Sequence, residues 1–245
     1  MEPTQQQASE ATGANNAMAG RIAAVRERIA RAAARSGRTP DAVRLLAVTK
    51  TVDAARVVAA VRAGITDLGE NYVQEARTKI PEVAALAGPE PRLTWHLIGH
   101  LQRNKAKYCA DLFSLIHSVN NYQLAQELGK HATKQGKTQP VLIEVNLVER
   151  PERTGVAPGD TLALAEQVAN VPNVALRGLM GMAPFSSDDP ERGRPYFARL
   201  RTLWEGLPAE HRHTLSMGMS GDFETAIEEG ATLVRIGTAL FGQRQ

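Results

Sequence analysis

From Pro40 onward the chain alternates short apolar runs with longer stretches in which apolar residues recur every three or four positions. The short runs, at 44–49, 65–69, 94–98, 112–119, 140–146, 175–179, 214–217 and 232–236, are rich in Val, Ile, Leu and Thr and predict strands. The segments between them, at 53–63, 73–86, 101–108, 121–134, 159–169, 189–206 and 223–229, carry the period of an amphipathic helix. Each parallel strand needs a crossover, so eight β/α alternations in about 200 residues predict an α/β fold of the TIM (β/α)8 barrel type. A doubly wound open sheet is the competing fold, and it rarely needs eight evenly spaced strands.

Ahead of this alternation, residues 18–35 set Ile22, Val25 and Ile29 at helical spacing among Ala and Arg, and stop at Ser36-Gly37 and Pro40. They predict an additional N-terminal helix. The segment before it is rich in Gln, Ala, Thr and Ser, with no large apolar side chain beyond Met1, so it cannot offset its ordering entropy. The expected organisation is a disordered tail over 1–17 and one barrel domain over 18–245.

Composition narrows the partners. The 245 residues are 43% hydrophobic and 22% charged, as in ordinary globular proteins. A net charge of +3, dispersed along the chain, gives no argument for nucleic acid as the main partner. Arg21, Arg26, Arg28, Arg31 and Arg35 on the first helix read as a solvated face, with an RNA- or acidic-protein-binding element as the competing reading. Cys109 is the single cysteine, which excludes an internal disulfide and a Cys-cluster zinc site and fits a reducing compartment. No apolar run approaches the ~20 residues of a membrane span, and residues 1–20 lack the basic start and apolar centre of a signal peptide. The expectation is a cytoplasmic protein with no membrane partner.

In a parallel barrel the ligands gather at the carboxyl ends of the strands. The first strand leads into Lys50, and Leu46, Val48 and Lys50 share a face by the two-residue period. A lysine there can also snorkel from the rim, and the residues themselves leave both options open. Barrel closure makes the last strand the neighbour of the first, which sets Arg235 and the Gly237-Thr238 turn beside Lys50. Glycine lets backbone N–H groups approach an anion, Thr238 can cap the helix that starts there, and barrels often hold phosphate after strands seven and eight. The seventh strand adds Ser216, Ser220, Gly218 and Gly221, with Asp222 placed to cap the next helix. A lysine facing a phosphate cup, with an arginine between them, suits an aldehyde cofactor carrying a phosphate.

Other signals are weaker. Gly136-Lys137-Thr138 resembles the tail of a P-loop, but the first glycine is missing and a strand follows rather than precedes it. His96 and His100 straddle a strand-to-loop junction, unlike the one-faced pair of a zinc-binding HExxH. Glu144 on strand five and Asn71 at the rim of strand two are as compatible with structure as with function, and Met180 and Met182 read as packing.

The blocks LLAVTKT, DLGENYVQEA, WHLIGHLQRNK, LRGLMGMAP, LSMGMSGD and VRIGTALFG, in this order over 18–243, resemble the pyridoxal phosphate homeostasis proteins, single-domain relatives of the barrel domain of bacterial alanine racemase. The resemblance implies a TIM barrel that binds pyridoxal 5'-phosphate as a Schiff base on Lys50. It also implies that Ser216, Gly237 and Thr238 hold the phosphate, that Arg235 meets the pyridine nitrogen and that Asn71 lies close to the cofactor. The implied role is cofactor buffering or delivery, with apo-enzymes as recipients. The alternative is an amino-acid racemase using the same linkage. Where the family often has Lys-x-Gly after strand five, this chain has Arg153-Thr154-Gly155.

Overall fold

The computed structural model describes residues 5–90, 92–150, 152–184 and 189–243, with side chains from Asn16 onward. Eight parallel strands close into a barrel in sequence order, as the alternation predicts. They are β1 (Arg44–Val48), β2 (Asp67–Glu70), β3 (Thr94–Leu97), β4 (Leu115–Val119), β5 (Gln139–Val145), β6 (Val174–Gly181), β7 (Thr214–Ser216) and β8 (Leu233–Ile236). Closure is made between β1 and β8, where Leu46 pairs with Arg235 on one side and with Asp67 of β2 on the other.

The helices are α1 (Gln5–Arg35), α2 (Ala54–Arg62), α3 (Val73–Ala87), α4 (Cys109–Leu112), α5 (Tyr122–Lys134), α6 (Thr161–Ala169), α7 (Arg194–Glu205), α8 (Phe223–Glu228) and α9 (Thr238–Phe241). Two of them depart from the sequence pattern. The helix expected over 101–108 is a 3-10 segment, Arg103–Tyr108, running into α4, because a stretch that buries only Ala106 is too short to nucleate a stable α-helix. The expected strand start at 112 moves to Leu115 for the same reason, since Leu112 belongs to α4. The pattern over 189–206 divides into a 3-10 turn at Pro190–Gly193 and α7, whose second residue is Pro195, a residue suited to a first helical turn.

By strand alternation the barrel interior falls into two parts. On the β4–β6 side Leu115, Leu142 and Met180 pack together with Met182 against them, so the methionines are indeed packing. The remainder of the interior holds buried polar side chains, among them His96, His117, Ser216 and Arg235. Outside the barrel, Cys109 is buried under the helices and burial pushes its thiol up to about 12, which makes it an inert packing residue.

Helix α1 begins upstream of the expected Met18, at Gln5, and docks through Met18, Ile22, Val25 and Ile29, all at or below 4% exposure. Its arginines are largely committed to the barrel. Arg21 donates to the Leu240 carbonyl at 2.6 Å and Arg26 to that of Gly64 at 2.6 Å, while Arg28 pairs with Glu224 and Arg35 with Glu228. No helix among the described residues is long and apolar enough to cross a membrane.

We propose that residues 1–17 are dispensable, since Met18 is the first buried apolar residue of α1 among the described side chains, which begin at Asn16. Deleting them is expected to leave the melting temperature unchanged. Ile29→Ala is expected to cost about 2–5 kcal/mol in urea unfolding. A truncation that destabilises as much as Ile29→Ala would show that the first turns of α1 also pack.

Candidate functional site

A cavity of about 1220 Å³ opens at the carboxyl ends of the strands. Val48, Lys50, Asn71, Arg235, Gly237 and Thr238 all line it, so five of the six expected site residues meet there. The sixth, Ser216, is fully buried below, its hydroxyl engaged by Arg235 and His117, and it is absent from the lining. Ser220 lines the cavity instead.

Lys50 stands two residues beyond β1, in a turn whose next residue, Thr51, has φ +62. A β-branched residue in the left-handed region is strained and needs support. The support is a buried ionic clamp. Thr51 N–H donates to Glu75 Oε1 at 2.7 Å, and Lys79 Nζ reaches Glu75 Oε1 at 2.5 Å, Glu70 Oε1 at 2.9 Å and the Thr49 carbonyl at 2.7 Å. Glu70 also accepts from the Thr49 hydroxyl at 2.6 Å. Burial raises the Glu70 carboxyl from its ordinary range, against the hydrogen bonds from Thr49 and Lys79 that lower it. The clamp thus grips both residues flanking Lys50. Sequence reasoning passed over it; the visible signal is the Glu75/Lys79 pair four apart on α3.

The adjoining wall is built from the loop after β7 and the turn after β8. Gly218 has φ +89, and a Cβ there would lie 2.6 Å from the Ala226 methyl. Its carbonyl accepts from Arg235 N–H at 3.0 Å, tying the β7 loop to β8. Asp222 does not cap α8 with its side chain; Asp222 Oδ1 accepts from Met219 N–H at 2.6 Å and curls the loop over. Ser220 Oγ accepts from Ala239 N–H at 3.3 Å. Gly237 is the N-cap of α9 and Thr238 its first residue, so the threonine hydroxyl is not a cap. Gly237, Thr238 and Ser220 therefore form a cup of backbone N–H groups and hydroxyls at the cavity wall.

Between lysine and cup lies Arg235, 4% exposed, donating to Ser216 Oγ at 2.7 Å and the Gly181 carbonyl at 3.0 Å. Burial lowers its guanidinium to about 10 against the charges of Asp222 and Glu144, so it stays cationic at neutral pH. Asn71 is set at the rim by close backbone packing: a Cβ on Gly99 would lie 2.4 Å from the Asn71 carbonyl oxygen. Glu144 lines the cavity and accepts from the Thr154 hydroxyl at 2.6 Å, while its other oxygen is buried without a hydrogen bond. His100 lines the rim, but His96 is buried inside the barrel, so the two do not converge; among the described residues no group of His, Cys, Asp and Glu is arranged to hold a metal. Lys137 of the P-loop-like tripeptide pairs with Asp111 at 2.7 Å, away from this cavity.

The closed (β/α)8 barrel agrees with the family profile that the chain matches, that of the alanine racemase N-terminal domain, over residues 21–245. The pyridoxal phosphate homeostasis protein of Pseudomonas aeruginosa is 46% identical over 91% of this chain and 94% of its own. That of Vibrio alginolyticus is 42% identical over 85% and 89%. PipY of Synechococcus elongatus, solved with pyridoxal phosphate bound, is 37% identical with a TM-score of 0.78, covering 92% of this chain and all of its own. The chain belongs to the pyridoxal phosphate homeostasis protein family.

Two outcomes follow from the electrostatics. Lys79→Met strands Glu70 in the interior and is expected to cost about 3–5 kcal/mol in urea unfolding, with Lys79→Met/Glu70→Gln costing less than the lysine change alone. An equal or greater cost in the double variant would contradict the clamp. The second concerns pH. Burial, then the charges of His96, Arg235 and Arg44, hold the His117 imidazole well below its ordinary 6.5, and burial lowers His96 too. Asp67 is held down to about 2 from 3.8, because hydrogen bonds from His96 and Arg44 outweigh its partial burial. The unfolded chain therefore binds protons that the folded barrel refuses, and stability falls as pH drops, first from about 7 downward through the histidines and then more steeply between about 4 and 2 through Asp67. Denaturation followed against pH should show both declines, and His117→Phe should flatten the first; an unchanged slope in that variant would contradict the assignment.

Proposed function

We propose that this protein binds pyridoxal 5'-phosphate through a Schiff base on Lys50 and buffers or delivers it in the cytoplasm, with apo-enzymes as recipients. The carrying observation is that the Lys50 amine and the Gly237/Thr238/Ser220 cup line one cavity on opposite sides of the β1–β8 seam, with Arg235 between them. The donor set suits the cofactor: an amine for an aldehyde, N–H and hydroxyl donors for a phosphate, and a guanidinium for a ring nitrogen. When bound, pyridoxal phosphate supplies an electron sink, which works best with a protonated ring nitrogen.

Each residue has a defined task in this reading. Lys50 provides the nucleophile, pointed by the Glu70/Glu75/Lys79 clamp. Ser220, Gly237 and Thr238 orient the phosphate; Ser216 supports Arg235 from beneath. Arg235, a donor at neutral pH, keeps the ring nitrogen unprotonated, so that carbanion chemistry is weakly favoured and binding and exchange dominate. A racemase is the second reading, because it needs a proton-handling group on each face and both His100 and Glu144 line the same cavity as Lys50.

Titration with pyridoxal phosphate is expected to give a visible absorption band that is absent in Lys50→Ala. Thr238→Val should weaken binding about fivefold, the worth of one neutral hydrogen bond. Single enantiomers of alanine and serine should keep their optical rotation in the presence of the loaded protein. Turnover in the ordinary enzyme range of about 1–10³ per second would favour the racemase, and an unchanged band in Lys50→Ala would overturn the Lys50 assignment.

A further inference from the structure

The barrel interior holds a run of polar side chains that the cofactor reading leaves unused. Arg235 Nη1 stands 2.7 Å from Ser216 Oγ, Ser216 Oγ 3.0 Å from His117 Nδ1, His117 Nε2 2.9 Å from His96 Nδ1, and His96 Nε2 3.4 Å from Asp67 Oδ1. His96, His117 and Ser216 are all within 1% of complete burial. Asp67 is the first residue of β2, at the amino end of the barrel, where it also accepts from Arg44. The run therefore leads from beneath the cavity to the opposite mouth. TIM-barrel interiors are ordinarily filled with bulky aliphatic side chains, and polar groups placed there are costly unless every bond is made.

Chemistry fixes the direction of these bonds. A guanidinium only donates, so Ser216 Oγ accepts from Arg235. The other described partner of Ser216 is His117, so the hydroxyl proton goes to Nδ1 and that nitrogen is bare. His117 then carries its proton on Nε2 and donates to His96 Nδ1, and His96 carries its own on Nε2, facing the Asp67 carboxylate. The reverse polarity would start from Arg44, whose Nη2 lies 3.4 Å from His96 Nε2. It would aim His117 Nδ1–H at Ser216 and leave the serine proton without an acceptor in a buried site.

We propose that Ser216, His117, His96 and Asp67 are positioning residues: a one-way ladder that seats the Arg235 guanidinium from below, with both histidines neutral, and makes the cavity sensitive to Asp67 at the far mouth. The role rests on the reading that Arg235 meets the cofactor ring. With Nη1 held by Ser216 and Nη2 by the Gly181 carbonyl, the remaining N–H groups of Arg235 are oriented for the cavity that it lines.

Two measurements test this. Long-range 1H–15N spectra of the cofactor-free protein read the tautomers directly: His96 and His117 are expected to be neutral, each with its proton on Nε2, at pH 7. A proton on Nδ1 of either ring, or an imidazolium, overturns the ladder without reference to any cofactor. Asp67→Asn is then expected to weaken pyridoxal phosphate binding about threefold to tenfold and to shift its visible band, with Asp67→Glu recovering part of both. Ser216→Ala, which breaks the ladder with little change of volume, should do the same should Asp67→Asn fail to fold. Wild-type affinity and band position in a folded ladder variant overturn the positioning role even where the tautomers are as expected. A wild-type protein that binds no pyridoxal phosphate overturns the functional reading and the positioning role together, and the spectrum of the cofactor-free protein still decides the ladder.

Discussion

The parallel pairing of β1 with β8 is the constraint on which everything else in this protein depends. Leu46 faces Arg235 across that seam, and the residues that follow each strand carry Lys50 on one side and Gly237-Thr238 on the other. Two segments from opposite ends of the sequence thereby become adjoining parts of one cavity wall. Loop-closure entropy makes such a contact expensive in isolation, and the six intervening strands with their helices offset that cost piece by piece. Helix α1 reinforces the same place: Arg21 bonds the Leu240 carbonyl in α9, and Arg28 and Arg35 pair with α8.

Beneath the seam the interior is divided by chemistry. Leu115, Leu142 and Met180 fill one side with apolar volume. The other side carries His96, His117, Ser216 and Arg235, each satisfied by the next. Alongside β1 Glu75, itself held by Lys79, bears the strain of Thr51, so the lysine turn does not depend on its own backbone preference. Both networks stand directly below groups that line the cavity, and both consist of buried polar atoms whose loss would be felt above them.

The architecture was legible because the two periods that define it are local. Every expected strand exists, and the boundaries moved where a short segment could not sustain an α-helix, as at Arg103–Tyr108. That Lys50, Asn71, Arg235, Gly237 and Thr238 line one cavity was legible because the ends of parallel strands are where barrels bind ligands. The choice of Ser216 over Ser220 shows the limit. Both serines flank the same glycines, but Ser216 is the last residue of β7 and lies under the rim, whereas Ser220 rides on a loop curled by Asp222. His117 could not be singled out because its partner Ser216 is brought to it only by the closed fold, whereas Lys79 had a local signal in Glu75, four residues away on α3.

The central claim is that barrel closure makes Lys50 the amine that holds the cofactor opposite the cup. Borohydride reduction of the protein loaded with pyridoxal phosphate, followed by peptide mapping, tests it most directly. The account predicts one dominant modified peptide, containing Lys50, whose yield falls when inorganic phosphate competes for the cup. Modification spread over surface lysines such as Lys105, Lys107 and Lys137, or concentrated on one of them and indifferent to phosphate, would contradict it.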